Sequence, residues 1–208
     1  MTQSLPTIQF YTIDEFIEWY PENSINHYEL HKEIIFEMPP PSGKHEAIIG
    51  FLTVFFGTLL SQIGSQYRMP NRAFIKTPEN DSLYNPDILI QDYSNVKNEA
   101  LWGNRPILCQ ASSMPLVIEV VSTNWQDDYY HKFADYEKTG IPEYWILDFE
   151  AFGGRKFIGN PKQPTIFVCE LVEGEYQMTP YRGNSPIKSL LFPNLNLTAQ
   201  QIFDSALS

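Results

Sequence analysis

The sequence is short of basic residues. Its 208 residues carry 14 lysines and arginines against 25 aspartates and glutamates, a formal net charge of −11. That excludes a protein that grips nucleic acid by charge alone, because such affinity comes from lysine and arginine neutralising phosphates. Work on a phosphodiester then needs divalent cations that bridge carboxylates to phosphate, or a local basic cluster. Lys44, Arg68, Arg72 and Lys76 are the candidates for a cluster, although each reads first as solvated surface. Cysteine is scarce too. Cys109 and Cys169, 60 residues apart, are too isolated for a disulfide scaffold or a metal knuckle, which favours a cytoplasmic protein. No run of 18 apolar residues occurs, and Met1 to Pro6 has no charged start leading into an apolar stretch. Neither a membrane span nor a signal peptide is expected. Gly-rich phosphate loops, a GxSxG elbow, HExxH and CxxC are all missing. His27 and His31 share a four-residue spacing, but in a strand and turn that builds no zinc site. What is present is a 43% hydrophobic, 14% aromatic composition. It is enough for one good core, so residues 1–208 are expected to form one domain.

The most informative stretch is PLVIEVVSTNWQDDYYHKFADYEKTGIPEYWILD, from Pro115 to Asp148. Leu116 to Val121 is an apolar, β-branched run of the kind covered on both faces of a sheet, with Glu119 inside it. A carboxylate there is costly unless paired, neutralised or bound to a cation, so Glu119 is either a strand-end residue or half of a site. Ser122, Thr123 and Asn124 turn the chain. Asp128 to Thr139 then reads as a helix, with Tyr129, Phe133 and Tyr136 on one face and Gly140 as its stop. Tyr144 to Leu147, ending at Asp148, is a second buried strand after Pro142.

Elsewhere, Thr12 and Glu15 have capping-box spacing for a helix from Ile13 to Tyr20, ended by Pro21 and Asn23. Tyr28–Leu30 and Ile34–Met38 predict a hairpin. Lys44 to Ile63 is the best helix, with Ile48, Ile49, Leu52, Phe55, Phe56, Leu59, Leu60 and Ile63 forming a face for a sheet and Gly64 a cap. Tyr67–Met69, Ala73–Lys76 and Asp87–Gln91 read as strands, and Tyr93 to Ser113 as irregular. After Asp148, the runs Lys156–Ile158, Thr165–Glu170 and Glu175–Thr179 suggest an antiparallel extension before a closing helix, Ala199–Ala206.

Asp87 and Glu119 each sit on an apolar strand, and neighbouring strands would place their carboxylates on one rim. Two carboxylates close together repel, and binding Mg²⁺ or Mn²⁺ relieves the repulsion. A hard cation there would polarise a phosphodiester and make water a better nucleophile. Lys132, in the helix after Glu119, would orient that water or stabilise charge on the phosphoryl group. His45, at the start of the long helix, would meet a phosphate or assist proton transfer. Bland readings stand beside these. Asp87 after Pro86 ends a turn, Asp128 and Lys132 at i, i+4 make a surface salt bridge, His45 is structural, and Glu29 is a surface or paired residue. Tyr144 and Trp145 read as core.

The pattern YEL…GKHEAIIG…NPDILI…PLVIEVVS…DDYYHKFADYEKTGIPEYWILD resembles the Uma2 family, also called DUF820, from about Tyr11 to Phe203. These are restriction-endonuclease-like proteins of the PD-(D/E)XK nuclease superfamily. The resemblance implies an α/β (α+β) fold, a mixed central β-sheet flanked by helices, with the antiparallel C-terminal extension read above. It implies a DNA endonuclease, with Pro86–Asp87 similar to the first half-motif and Glu119 to the acid of the second, both ligands to Mg²⁺ or Mn²⁺. A lysine normally follows that acid by two residues, where this chain has Val121; the family pattern gives the amine to Lys132, and His45 matches its helix-start histidine. A homodimer is implied as well, with a separate DNA-targeting protein left open. A catalytically silent binding or assembly module, favoured by Val121 and the acidic charge, is the alternative.

Overall fold

The computed structural model describes residues 9–21, 25–63 and 66–206. In chain order the elements are α1 (Ile13–Trp19), β1 (Tyr28–His31), β2 (Ile34–Glu37), α2 (Gly43–Ile63), β3 (Tyr67–Arg68), β4 (Phe74–Lys76) and β5 (Leu83–Tyr84). They continue with β6 (Ile88–Asp92), α3 (Tyr93–Val96), β7 (Ile107–Leu108), β8 (Leu116–Val120), α4 (Lys132–Thr139) and β9 (Glu143–Asp148). The last are α5 (Arg155–Ile158), β10 (Thr165–Val172), β11 (Glu175–Tyr181) and α6 (Ala199–Ser205). Asn23, expected with Pro21 to end the first helix, and the expected cap Gly64 lie outside the described residues.

Two mixed sheets result rather than one. The larger runs β11-β10-β9-β8-β6-β3 and the smaller β2-β1-β5-β4-β7. In the larger, β8 and β9 are parallel, pairing Glu119 with Ile146, and α4 lies in the crossover between them. Its remaining pairs are antiparallel, including the C-terminal extension β9-β10-β11. The period-2 alternation of strand side chains decides what each face carries. Leu116, Ile118, Val120, Trp145 and Leu147 face α2 and α6 in one core, whereas Val117, Val121, Tyr144 and Ile146 face Tyr129 and Tyr136 in another. Glu119 therefore belongs to the face under α4. Asp87, two residues before Leu89 of that same core, belongs there too.

α2 places Ile48, Leu52, Phe56 and Leu60 on the sheet, each such side chain contributing roughly 1.5–3 kcal/mol of burial free energy. By length and composition it is apolar enough to cross a membrane, the one such helix among the described residues, yet that face is spent on the core. Its expected apolar face is narrower than drawn, since Ile63 is exposed. The capping boxes at Thr12 with Glu15 and at Thr198 with Gln201 start α1 and α6.

Three expectations are corrected. The run Lys156–Ile158 lies in a helical turn, not a strand: Asp148 accepts from the amides of Phe152 and Gly153 and folds the chain back on itself. A Cβ on Gly153 would sit 2.8 Å from Asp148 Oδ2 and 3.0 Å from the Tyr129 hydroxyl, so the turn requires glycine. The segment Tyr93–Ser113 is not uniformly irregular; it holds α3 and β7, whose Ile107 and Leu108 are buried. The helix expected from Asp128 begins instead as a π turn, Asp127–His131, that runs into α4. Such widened turns concentrate at functional sites.

Candidate active site

The face under α4 opens into a pocket of about 260 Å³ lined by Glu29, His45, Asp87, Glu119, Asp128 and Lys132, among others. Each comes from a different constraint. Asp87 and Glu119 face one another across antiparallel β6 and β8, one step beyond the Ile88–Ile118 pair. The amide of Val120 donates to Asp87 Oδ2 at 2.7 Å, and the amide of Asp87 approaches Glu119 Oε2 at 3.5 Å. This reciprocal clamp fixes both carboxylates to the strand ends.

Lys132 descends from the start of α4 and is almost wholly buried, with its Nζ 3.2 Å from Glu119 Oε1, 3.2 Å from Glu29 Oε1 and 3.9 Å from Asp128 Oδ1. Tyr136, one helical turn further on, donates its hydroxyl to Glu119 Oε1 at 2.8 Å. Glu29 reaches in from β1, held by the Asn85 amide at 2.9 Å and by His31 Nε2 at 2.9 Å. From the opposite face of the sheet, His45 of α2 donates through Nε2 to the Val120 carbonyl at 3.0 Å and lies 3.4 Å from Asp87 Oδ2. Its Nδ1 makes no hydrogen bond and has Glu46 Oε1 at 3.5 Å.

The electrostatics are out of balance. Four carboxylates share one ammonium and two imidazoles, His45 beside Asp87 and His31 beside Glu29. Burial works against charge on Lys132, but Glu119, Glu29 and Asp128 hold its pKa well above the ordinary range. Burial likewise opposes charge on Glu29, yet Lys132 and His31 keep its pKa below the usual value. Glu119 is pushed well up by burial, with Asp87, Asp128 and Glu29 adding to what Lys132 only partly offsets. Burial also drives Asp128 up, to about 7. One ammonium thus satisfies about one carboxylate, and the remainder either takes up protons or awaits a cation. His45 is raised against its own burial by Asp87 and Glu46, so it tends to hold its proton.

The structure brings together all four residues singled out from sequence: Asp87, Glu119, Lys132 and His45. Asp128 and Lys132 do not form a surface salt bridge, because both are buried in this cluster. Glu29 is paired, as one reading allowed, but inside the site. The sequence reasoning missed Asp128 and Tyr136 as members. Glu29 was legible by the argument used for Glu119, a carboxylate in a short apolar strand, whereas Tyr136 hides its hydroxyl within the apolar rhythm of α4. The basic cluster does not assemble from its first two members. Lys44 pairs with Glu150 at 2.8 Å and the Arg68 guanidinium stacks 4.1 Å over Tyr93.

A family model described as "Putative restriction endonuclease", Uma2, matches residues 13–200. The chain belongs to the Uma2 family. The fold agrees with that of a solved structure described as a "putative nuclease belonging to DUF820" from Anabaena variabilis ATCC 29413. The TM-score is 0.71 at 20% identity, covering 94% of this chain and 98% of the other. No curated protein matches. In this Uma2 chain the position two residues after Glu119 is Val121, fully buried in the apolar core beneath α4, while Lys132 brings its ammonium to Glu119 from the helix above.

Proposed function

We propose that the protein is a divalent-metal-dependent endonuclease that hydrolyses phosphodiester bonds of DNA. The observation that carries this reading is the anionic surplus at the pocket, four carboxylates around one ammonium, with Asp87 and Glu119 clamped at adjacent strand ends. The donor set fits Mg²⁺ or Mn²⁺: Mg²⁺ is commonly held by one or two carboxylates while keeping several waters, and a hard cation would lower the cost that pushes Glu119 toward protonation. When bound, such a cation supplies Lewis-acid polarisation of the phosphoryl oxygen and a more acidic water.

The rest falls to the chain's own residues. Asp87 and Glu119 would hold the cation, and the Val120 amide and the strand register keep their carboxylates together. Lys132, locked by Glu29 and Glu119, presents a fixed positive charge to the oxygens that become more negative as water attacks phosphorus. Glu29 and Tyr136 are positioning residues, which hold the lysine and the Glu119 carboxylate in place. His45 keeps Asp87 and the Val120 carbonyl oriented. When protonated, it adds a second positive charge beside the phosphate. The water oxygen bonds to phosphorus and gives its proton to solvent, the phosphorus–oxygen bond to the leaving strand breaks, and solvent returns a proton to the departing oxygen.

Incubating supercoiled plasmid with Mg²⁺ or Mn²⁺ tests this, wild type beside Lys132→Ala and Glu119→Ala. Nicking by the wild type that both variants lose is expected. Equal nicking by folded variants would remove the site from the reaction, and no nicking by the wild type despite bound Mg²⁺ would make the chain a non-catalytic module.

A further inference from the structure

On the other side of Glu29 from Lys132 stands His31, and beside it the π turn presents Asp127 and His131. One ligand atom from each of these three residues lies within 4.8 Å of the other two. We propose that His31, Asp127 and His131 form a second metal site, for a borderline transition-metal ion of the Zn²⁺ class, separate from the carboxylate pocket and independent of the nuclease reading.

Donor chemistry sets the class of ion. Two imidazoles and one carboxylate favour Zn²⁺ and its neighbours over Mg²⁺, which seeks oxygen. The site is also partly built in advance. His31 is buried, its ring held between Phe36 and Tyr84 at 4.8 Å centroid separations, with Nε2 anchored to Glu29 at 2.9 Å. Asp127 Oδ1 lies 3.0 Å from His131 Nδ1, and Asp127 Oδ2 accepts from Asn124 Nδ2 at 2.7 Å, which fixes the carboxylate. Bonds of about 2.0–2.1 Å at tetrahedral angles put ligand atoms roughly 3.4 Å apart, so with Asp127 and His131 already 3.0 Å apart, no separation in the cluster, all within 4.8 Å, must close by more than about 1.4 Å. The exposed His131 side chain has the freedom to make that adjustment.

A bare ion pair between Asp127 and His131 across one turn would explain those two alone. It leaves out His31, which Glu29 anchors on β1 and which reaches the same point from nearly 100 residues away in sequence. Three protein donors leave a fourth position for water, and an ion there would tie β1, which carries Glu29, to the turn that carries Asp128.

Titration with Co²⁺, followed by its visible absorption, and with Zn²⁺, followed by thermal stability, decides the matter on the full chain. The wild type is expected to bind either ion, and His131→Ala to weaken binding roughly 10-fold or more. Millimolar Mg²⁺ in the buffer, which competes for the carboxylate pocket and not for imidazole, should leave the difference between wild type and His131→Ala in place. His131→Ala is exposed, and its far-ultraviolet circular dichroism and its melting temperature without metal verify the fold. Co²⁺ affinity unchanged in His131→Ala, or no binding by the wild type at millimolar Co²⁺ and Zn²⁺, would overturn the proposal. Neither result touches the Mg²⁺ response of the carboxylate pocket, which tests the nuclease reading by itself.

Discussion

Glu119 and Glu143 are glutamates on neighbouring parallel strands, both buried, and they live in opposite electrostatic worlds. Glu143 accepts from the indole of Trp145 at 2.6 Å, the Ser189 hydroxyl at 3.0 Å and the amides of Leu190 and Leu191 at 2.9 and 3.1 Å. Burial raises its pKa and those donors pull it back, so neutral dipoles do the compensating. Asp148, at the far end of the same strand, is treated alike by Phe152, Gly153 and Tyr129. Glu119 instead has Lys132 and Tyr136 on one oxygen and three further carboxylates near it. Burial of a carboxylate is therefore no mark of a site. What distinguishes the two is whether the surroundings are closed with dipoles or left with net negative charge beside an opening.

The largest expected effect on this contrast comes from Lys132→Met. It leaves the buried carboxylates without their ammonium, so cleavage should vanish and the metal-free protein should lose roughly 3–5 kcal/mol in urea unfolding. Adding Glu119→Gln to that variant should restore part of the loss, and a strictly additive double-mutant cycle would show that the two are uncoupled.

Next in size, Glu143→Ala should cost ~1–3 kcal/mol by stranding buried donors, yet keep the rise in melting temperature on adding Mg²⁺. Glu119→Gln should do the reverse, with little change in metal-free stability and no Mg²⁺ response. If Glu143→Ala abolished the response and Glu119→Gln kept it, the contrast would be inverted.

A pH-dependent effect follows from Asp128. Its folded pKa of about 7 stands above the ordinary 3.8, so the folded state holds this proton more tightly than the unfolded chain. Its stabilising contribution is complete below pH 3.8 and is lost as pH rises through about 7. Without metal, the unfolding free energy of Asp128→Asn should fall less steeply across that window, by at most about 1.4 kcal/mol per pH unit. Parallel pH profiles for the two proteins would contradict the assignment.

Much of this was legible from residue order, for reasons that particular elements make plain. α2, β8 and β9 announce themselves because their apolar periods are long and their ends carry turn chemistry. Asp87 and Glu119 stood out because a charge in a buried strand needs a reason. Glu143 carries the same signal in weaker form, at a strand's first residue, and nothing local says that Ser189, Leu190 and Leu191 will return from 46 to 48 residues away to satisfy it. The short strands β5 and β7, two residues each, exist only because neighbours pair with them, so no local pattern marks them. The π turn is likewise a tertiary result, since one sequence pattern serves a regular helix and a widened one alike. Asp128 passed for a surface partner of Lys132 because i, i+4 spacing does not reveal which face a helix will bury.

The central claim is that Asp87 and Glu119 form a hard-cation site. Calorimetric titration of Mg²⁺ into the wild type and the Asp87→Asn, Glu119→Gln double variant addresses it most directly, because Mg²⁺ seeks oxygen and disfavours the imidazole cluster at His31. The wild type should bind Mg²⁺, and the double variant should bind none. Equal Mg²⁺ affinity in both proteins would contradict the account.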